Sequence, residues 1–299
     1  MELLTGRVLL ISNPAARRAR RTLDHALAAF REAGVPCDHI ATEHPGHAAV
    51  LAVERRGDEH QAVFTLGGDG TAMEVVGALA HSGVPVGILP GGTGNLVARS
   101  LGIPLNVRRA VLRLVHGAPT TIDLGVVDGG RRFAFAVGVG VDARMIAETG
   151  AAAKRRFGVA AYTLSALRAT LQCRAFRLRA TVDGVPVTAD ATLAMIANFG
   201  GVLNDLIVLG PGIERDDGRL DLCVFSPAHA GQTLGIAWRL LRKRFGTHPR
   251  MAYQPGRTFR VECDPPQLYE ADGEVLGTTP FEARVEPGAA TLLLPRRRD

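Results

Sequence analysis

Hydrophobic and polar positions follow two different periodicities in the two parts of the chain. Over residues 1–122, short apolar runs alternate with stretches whose apolar residues recur three and four positions apart. Strands are predicted at 7–12, 37–41, 62–66 and 85–89, and helices at 23–30, 48–53, 71–80 and 95–101. Strands that alternate with helices at this spacing predict a parallel sheet covered on both faces. Ligands of such sheets bind at the carboxyl ends of the strands.

Beyond residue 122 the dominant signal is strand-like, and several segments alternate strictly between apolar and polar residues. Strands are predicted at 133–137, 176–182, 192–197, 221–225, 258–263 and 282–285. Asp183-Gly184 predicts a hairpin turn, and helices are predicted at 159–172 and 232–245. The two patterns predict an α/β domain at 1–122 and an antiparallel β-sandwich domain at 123–299. They leave open that the extreme C-terminus returns to the first domain.

The amino-acid composition predicts a globular protein without a transmembrane helix. Hydrophobic residues make up 46% of the chain and charged residues 21%, which is typical of a globular protein. The longest uncharged stretch, 75–98, is interrupted by glycines and prolines, so a transmembrane helix is not expected. The N-terminus has no basic leader, which argues against a signal peptide. Four cysteines that lie far apart predict reduced thiols and a cytoplasmic location.

The charge balance predicts an anionic partner. There are 35 basic and 29 acidic residues, a net charge of +6, and the basic residues occur in clusters. Such clusters suit nucleotide phosphates or a membrane surface. They lack interleaved aromatic residues and no recognition motif accompanies them, so a nucleic-acid partner is not expected.

A glycine-rich turn, Leu66-Gly-Gly-Asp-Gly-Thr71, joins the third predicted strand to a helix. Glycines let main-chain amides approach a phosphate closely, and the helix directs its positive end at the same place. Asp69 would repel a phosphate unless a cation or a hydroxyl lies between them, which suggests Mg²⁺ or an incoming acceptor. The alternative is a tight turn in which Asp69 is only an N-cap.

A second glycine turn, Pro90-Gly-Gly-Thr-Gly-Asn95, follows the next strand. Two such turns on successive strands are expected to face each other and to form one phosphate cradle, with Thr93 as a hydroxyl donor. The alternative is a coincidental pair of turns. Neither turn is a Walker A motif, and no G-x-G-x-x-G follows the first strand.

Two acidic segments lie in the second half of the chain. Asp272-Gly273-Glu274 is interpreted either as a solvated hairpin tip or as a pair of functional carboxylates. Asp217-Gly218-Arg219-Leu220-Asp221 is interpreted either as a turn or as a cation loop built from carboxylates and main-chain oxygens.

Together these residues resemble the superfamily of diacylglycerol, sphingosine and ceramide kinases, and within it the bacterial lipid kinases of the YegS type. The motifs that carry the resemblance span nearly the whole chain: Asn13-Pro14, Thr42, 67–71 with Glu74, 90–95 continuing into 98–104, 140–143, 217–221, 272–274 and Thr279-Pro280. The GGDGT segment alone is shared with NAD kinases and phosphofructokinases. The Pro-Gly-Gly-Thr-Gly-Asn turn that follows it and the late Asp-Gly-Glu together make the resemblance more specific.

The resemblance implies a Rossmann-like α/β domain similar to that of NAD kinases and phosphofructokinases, followed by a β-sandwich. It implies transfer of the γ-phosphoryl group of ATP, with Mg²⁺, to a hydroxyl of a diacylglycerol- or sphingoid-like lipid. ATP is expected between the domains, near Asn13, Thr42, Gly67, Gly68, Asp69, Gly70, Thr71, Glu74, Gly92, Thr93 and Asn95. Glu274 is implied as the catalytic base and Asp69 as its assistant. Metal ligands are expected at Asp217, Glu214, Arg219 (through its main chain) and Asp272.

Two positions depart from the pattern of the resembled family. Leu96 stands where many relatives have an aspartate, and Met73 stands where they commonly have an asparagine. Either change leaves room for a different mode of cation binding, for lower activity or for another acceptor. The change at Leu96 leaves open a catalytically weak binder of lipid or nucleotide. A nucleotide kinase of the NAD-kinase type also stays open, because it shares the GGDGT segment and a similar two-domain plan.

The predicted helix at 232–245 combines Trp238 and leucines with a cluster of basic residues. This composition suits a helix that lies on an anionic membrane surface. The alternative is a helix that faces the core and exposes only its basic edge. An edge strand of the sandwich also offers pairing with a second copy, so a homodimer is a further expectation.

Overall fold

The structure, a computed structural model, describes residues 4–16, 18–56, 59–140, 175–202, 207–246 and 248–296. Two compact units are present, Met1–Ile122 with Gly288–Asp299, and Asp123–Pro287. In the part of the chain that the structure describes, no helix is long and apolar enough to cross a membrane. The described cysteines, Cys37, Cys223 and Cys263, are free thiols.

The first unit is built on parallel strands. Its elements are β1 (Arg7–Ser12), α1 (Ala19–Glu32), β2 (Cys37–Ala41), α2 (His47–Glu54), β3 (His60–Gly67), α3 (Asp69–Ala78), β4 (Val86–Pro90), α4 (Leu96–Ser100), α5 (Val107–Val115) and the first half of β5 (Ala118–Val127). The strand order is β2-β1-β3-β4, and all three pairings are parallel. Helix α1 packs with α5, and α2 packs with α3.

Burial explains why these apolar runs form central strands. Every residue of β4 and all but the first residue of β1 are buried, as expected for a sheet covered on both faces. Phe30 of α1 meets Phe64 of β3 edge to face, with ring centroids 4.9 Å apart. Gly34, at a φ of 70°, follows the end of α1 in a conformation that glycine adopts without strain.

The second unit is an antiparallel sandwich. Its elements are the end of β5, β6 (Arg131–Phe133), β7 (Ala136–Gly140), β8 (Phe176–Val182), β9 (Val185–Ala191), β10 (Leu193–Ala197), β11 (Gly201–Val202), β12 (Ile207–Val208), β13 (Leu220–Phe225), α6 (Ala230–Leu241), β14 (Met251–Gly256), β15 (Thr258–Asp264), β16 (Leu268–Ala271), β17 (Glu274–Thr278) and β18 (Phe281–Leu294).

Two sheets form this sandwich. One contains the start of β18 with β15, β8 and β9, and the other has the order β14-β13-β10-β7-β16-β17. A single apolar core joins residues of both sheets, including Leu178 and Val261 of the first and Ile196 and Leu222 of the second. The end of β18, from Gly288, belongs to the first unit, where Leu292 pairs in parallel with Val86 of β4.

The predicted hairpin at Asp183-Gly184 is present between β8 and β9. Both residues have positive φ, 48° and 83°, and Val182 pairs with Val185 across the turn. A two-residue turn of this kind matches the twist of the flanking strands.

Two predicted elements have different bounds in the structure, and two predicted segments lie outside the described residues or mostly outside them. The strand predicted at 133–137 is wrong as one element, because β6 ends at Phe133 and β7 begins at Ala136. The helix predicted at 159–172 lies outside the described residues, as does most of the 140–143 segment. The helix predicted at 232–245 is α6, which ends four residues earlier because Lys243 has a φ of 52°.

Candidate active site

The two glycine turns touch each other at the carboxyl ends of β3 and β4. Gly91 donates its N–H to the carbonyl of Gly67 at 2.7 Å. A Cβ placed on Gly92 would lie 2.7 Å from the Cα of Gly68, closer than real Cβ atoms approach a backbone. The structure therefore brings together the two turns that the sequence predicted to face each other, and position 92 leaves no room for a side chain at their contact.

The second turn is closed by the side chain of Asn95. Its Oδ1 accepts from Gly92 N at 2.9 Å, and its Nδ2 donates to Gly92 O at 3.0 Å. Asn95 is buried and left-handed, at φ 49° and ψ 49°, a conformation that asparagine tolerates better than most residues. Thr93 is half-buried, and its hydroxyl has no hydrogen-bond partner among the described residues.

Asp69 is the first residue of α3 and links the first turn to the helix after the second. Its Oδ1 accepts from Val97 N, in the first turn of α4, at 3.0 Å. Burial raises the pKa of Asp69, and main-chain N–H groups, that of Val97 foremost, oppose the rise. No side chain caps the N-terminus of α3. The start of a helix attracts anions through main-chain amides of this kind.

Leu96 and Met73, the two positions that depart from the pattern of the resembled family, lie in different environments. Met73 is 6% exposed and belongs to the core face of α3, where an apolar side chain packs favourably. Leu96 is the half-buried first residue of α4, next to the main-chain N–H of Val97 that Asp69 binds.

Asn13 and Thr42 follow β1 and β2 at the same edge of the sheet. Asn13 donates its main-chain N–H to Leu66 O at 2.9 Å and its Nδ2 to Thr71 Oγ1 at 2.9 Å. Thr42, which is buried, donates its main-chain N–H to Ser12 O at 2.8 Å. These bonds fix the ends of three parallel strands, β1, β2 and β3, beside the glycine turns.

The carboxylate of Glu74 binds main-chain donors at the start of α2. Its Oε1 accepts from Gly46 N at 3.0 Å and its Oε2 from Ala48 N at 3.1 Å. Gly46 is the residue before α2, so the carboxylate satisfies main-chain donors at the N-terminus of that helix. Glu74 thereby ties α2 to α3.

In the second unit, Asp272 is held by the main chain of the break between β6 and β7. Its Oδ2 accepts from Ala134 N at 2.7 Å, and its Oδ1 accepts from Phe135 N at 2.9 Å and Ala136 N at 3.1 Å. Asn198 donates to the carbonyl of Ala134 at 2.9 Å. These side chains take over the bonds that a continuous strand would use, which is why the predicted strand is interrupted.

The turn that contains Asp272 orients Glu274. Asp272 and Gly273 have φ values of 47° and 88°, and Gly273 donates its N–H to the buried Glu270 Oε2 at 2.7 Å. Glu274 opens β17, is exposed, and forms an ion pair with Arg131. The two acids of this segment thus have separate surroundings: Asp272 binds the main chain, and Glu274 extends into solvent.

We expect the Asp272→Ala substitution to lower the free energy of unfolding by about 3 kcal/mol, because three main-chain donors lose their acceptor. Urea unfolding at neutral pH measures the change. The matched control is Asp190→Ala, which removes an exposed carboxylate paired with Arg177 and is expected to cost no more than about 0.5 kcal/mol. Equal stability of the two variants would contradict the anchoring of the turn by Asp272.

Several carboxylates lie in the 214–221 segment or beside it. Asp217 Oδ1 accepts from Arg219 N at 3.0 Å, and Gly218 N donates to Asp123 Oδ2 at 2.6 Å. Burial, with the nearby charge of Asp217, raises the pKa of Asp221 to about 6, while Arg219 opposes the rise. Glu214 is exposed. Asp123 was missed in the sequence, although a lone acid in the apolar run 122–127 is a usable signal.

Elsewhere in the described part of the chain, three residues have potential metal-ligand atoms that all lie within 4.8 Å of one another. None of the three was predicted from the sequence to bind a metal. They are Asp38, Glu59 and His60. Asp38 is paired with Arg7 at 2.6 Å and hydrogen-bonds His60 at 3.0 Å. An arginine already neutralises this carboxylate, so the arrangement is that of an ion-pair network on the first unit.

Both units match known protein families. Residues 7–127 match the diacylglycerol kinase catalytic domain, and residues 135–294 match the YegS C-terminal NAD kinase beta sandwich-like domain. A diacylglycerol kinase of Mycobacterium tuberculosis is 28% identical over 97% of this chain and 96% of its own length. A diacylglycerol kinase of Staphylococcus aureus is 27% identical over 92% and 88%. An uncharacterized protein of Synechocystis is 29% identical over 80% of this chain, which spans 56% of that relative.

The fold is also found among solved structures. A crystal structure of a diacylglycerol kinase from Bacillus anthracis str. Sterne has a TM-score of 0.73 to this chain at 20% identity, with 98% of each chain covered. The predicted fold class, a largely parallel α/β domain followed by an antiparallel β-sandwich, is confirmed. This chain belongs to the family that joins a diacylglycerol kinase catalytic domain to a YegS-type C-terminal sandwich domain.

Proposed function

We propose that this protein transfers the γ-phosphoryl group of ATP to a hydroxyl of a diacylglycerol-like lipid. The observation that carries the proposal is the main-chain contact between the two glycine turns, Gly67–Gly68 and Gly91–Gly92, at the carboxyl edge of a parallel sheet. The names of the full-length bacterial relatives support the choice of a lipid acceptor.

We assign the triphosphate to the cradle formed by these turns. Gly70 leaves open space beside the first turn of α3, and the amides at the start of a helix favour negative charge. The free hydroxyl of Thr93 supplies a further donor. Asn13 and Thr42 border the cradle from the neighbouring strand ends. In this arrangement Glu74 acts indirectly, by fixing α2 against α3.

Magnesium is assigned to the Asp69 side of the cradle. The oxygens of Asp69 and Thr93 are the hard ligands that Mg²⁺ prefers. When bound, Mg²⁺ neutralises charge on the phosphates and on the transition state of phosphoryl transfer. Asp69 is positioned for this by its bond to Val97 N. A buried carboxylate with a raised pKa gains most from a nearby cation, because the cation favours its ionised form.

We propose Glu274 as the base that accepts the proton of the lipid hydroxyl. The hydroxyl oxygen forms a bond to the γ-phosphorus, the bond from that phosphorus to the leaving oxygen of ADP breaks, and the proton passes to a Glu274 carboxylate oxygen. The ion pair with Arg131 orients this carboxylate. We assign Asp272 a positioning role in place of the metal-binding role expected from the sequence, because both its oxygens already accept main-chain bonds.

The test of the proposed function is a transfer assay with ATP labelled at the γ-phosphate and a total bacterial lipid extract as acceptor. We expect label in a single class of extracted lipid, whose mass spectrum identifies the acceptor. Consumption of ATP without labelled lipid would exclude a lipid kinase, and no consumption of ATP would favour a binding protein.

A second divalent cation is proposed at the 214–221 segment, held by Asp217 with main-chain oxygens near Glu214 and Arg219. Burial raises the pKa of Asp221, and the nearby charge of Asp217 raises it further, so a cation beside these carboxylates would favour their ionised forms. We expect Mg²⁺ at about a hundred times its Kd to stabilise the wild-type protein by about 2.7 kcal/mol. Asp217→Asn is expected to lose most of this gain, although without cation it is at least as stable as the wild type, since it removes repulsion of Asp221.

Thermal unfolding with Mg²⁺ and with a chelator measures this difference. The matched control is Asp216→Asn, which neutralises the adjacent exposed acid and is expected to keep the full stabilisation. An identical response of the two variants to Mg²⁺ would rule out a cation held by Asp217.

A further inference from the structure

Helix α6 exposes an apolar stripe to solvent. Leu234, Trp238 and Leu241 are 61%, 55% and 38% exposed. Their spacing of four and three residues places them on one face of the helix. Ile236, which is buried, lies on the opposite face. The sequence left open whether this helix faces the core, and its largest apolar side chains lie on the solvent side.

Contacts at the C-terminal end of α6 hold the helix in a fixed orientation. Just after α6, Phe245 meets Tyr253 of β14 edge to face, with ring centroids 6.4 Å apart. Arg239 donates to the carbonyl of Gly246 at 3.3 Å. Together with the burial of Ile236, these contacts fix which face of α6 is turned outward.

A cationic cluster adjoins the stripe at the end of the helix. Arg242, Lys243 and Arg244 are all exposed. The guanidinium of Arg242 lies over the Trp238 ring, 4.5 Å from its centroid. Among the residues that the structure describes, none of these three cations is in an ion pair. The surface therefore combines tryptophan and leucine with three exposed positive charges.

We propose that this surface, Leu234, Trp238 and Leu241 with Arg242, Lys243 and Arg244, docks on the face of an anionic lipid bilayer. Leucine and tryptophan insert at the level of the headgroups, and arginine and lysine bind anionic headgroups beside them. A symmetric interface with a second copy is disfavoured, because a two-fold axis through the stripe brings six cations together.

The other exposed large aliphatic residues in the described part of the chain do not form such a surface. Val50 and Val53 on α2, Val185 on β9 and Val275 on β17 have no neighbouring tryptophan or comparable cationic run. They serve as controls for apolar exposure alone. The inference rests on the proposed function only in that a lipid acceptor resides in a bilayer, and its test needs neither ATP nor turnover.

The experiment mixes the full chain with vesicles of phosphatidylcholine alone, or of equal parts phosphatidylcholine and phosphatidylglycerol. Trp238 is the only tryptophan, so its emission reports on this surface directly. We expect binding to the phosphatidylglycerol vesicles, a blue shift of the emission, and weakening of both as salt is added. Sedimentation of the vesicles gives the partition coefficient.

Two sets of variants locate the contact. Arg242→Gln with Lys243→Gln and Arg244→Gln is expected to lower the partition coefficient roughly a hundredfold, and Leu234→Ser with Leu241→Ser on the order of tenfold. The charge-matched control combines Arg31→Gln, Arg109→Gln and Arg113→Gln, and the apolar control combines Val50→Ser with Val53→Ser. All these side chains are exposed, so the variants are expected to fold.

Several results would overturn the proposal. They are absence of binding to phosphatidylglycerol vesicles, binding without a change in Trp238 emission, and equal losses in the α6 variants and their controls. A blue shift that depends on protein concentration without vesicles would instead assign the stripe to self-association. Docking without any lipid phosphorylation would leave this inference standing while the proposed function fails.

Discussion

Replacing Glu274 with glutamine is expected to lower the turnover number by a factor of about 10² to 10⁴ while ATP binds as before. The substitution keeps the shape of the side chain but removes its ability to accept a proton from the lipid hydroxyl. Rapid-quench measurement of lipid phosphorylation gives the turnover number, and calorimetry gives the affinity for ATP.

The matched control is Glu282→Gln. Glu282 is also an exposed strand glutamate paired with an arginine, Arg260, at 2.9 Å, but it has no proposed part in the reaction. We expect it to retain wild-type turnover. A Glu274→Gln variant that phosphorylates lipid as fast as this control would remove Glu274 from the mechanism.

Gly92→Ala is expected to abolish measurable ATP binding. The added Cβ would lie 2.7 Å from Gly68 Cα and 3.1 Å from Asn95 Oδ1, so the two turns must move apart. Forcing bulk into such a contact typically costs about 1–3 kcal/mol of stability. Urea unfolding and ATP titration measure the two effects separately.

Gly70→Ala is the substitution to compare with Gly92→Ala, because it adds the same methyl group to the other glycine turn. A Cβ on Gly70 meets nothing within 4 Å, and alanine is favoured over glycine in a helix, so we expect no loss of stability. Weaker ATP binding by this variant would therefore report the approach of the ligand to the first turn of α3. Wild-type ATP affinity in Gly92→Ala would contradict a cradle formed by the two turns.

The convergence of the glycine turns could be predicted because it depends only on local rules. Each turn follows a short apolar strand, and the carboxyl ends of parallel strands meet at one edge. The same is true of the hairpin at Asp183-Gly184, which is fixed by the turn residues themselves.

The contacts that could not be predicted depend on pairings between distant segments. Glu74 caps α2 only because α2 and α3 lie side by side. Asp272 binds the main chain 136 to 138 residues earlier in the sequence, and this interrupts the strand predicted at 133–137. Asp123 accepts a hydrogen bond from Gly218, which lies 95 residues later in the sequence. The roles of Glu274, Asp69 and Asp217 stay predictions.

The kinase proposal is tested most directly by supplying ATP labelled at the γ-phosphate, Mg²⁺ and vesicles that contain diacylglycerol, with NAD as the acceptor in a parallel reaction. We predict that label appears as a phosphomonoester in the extracted lipid with the wild-type protein, falls sharply with Glu274→Gln, and does not appear on NAD. Label found on NAD, or only in inorganic phosphate, would contradict the proposal.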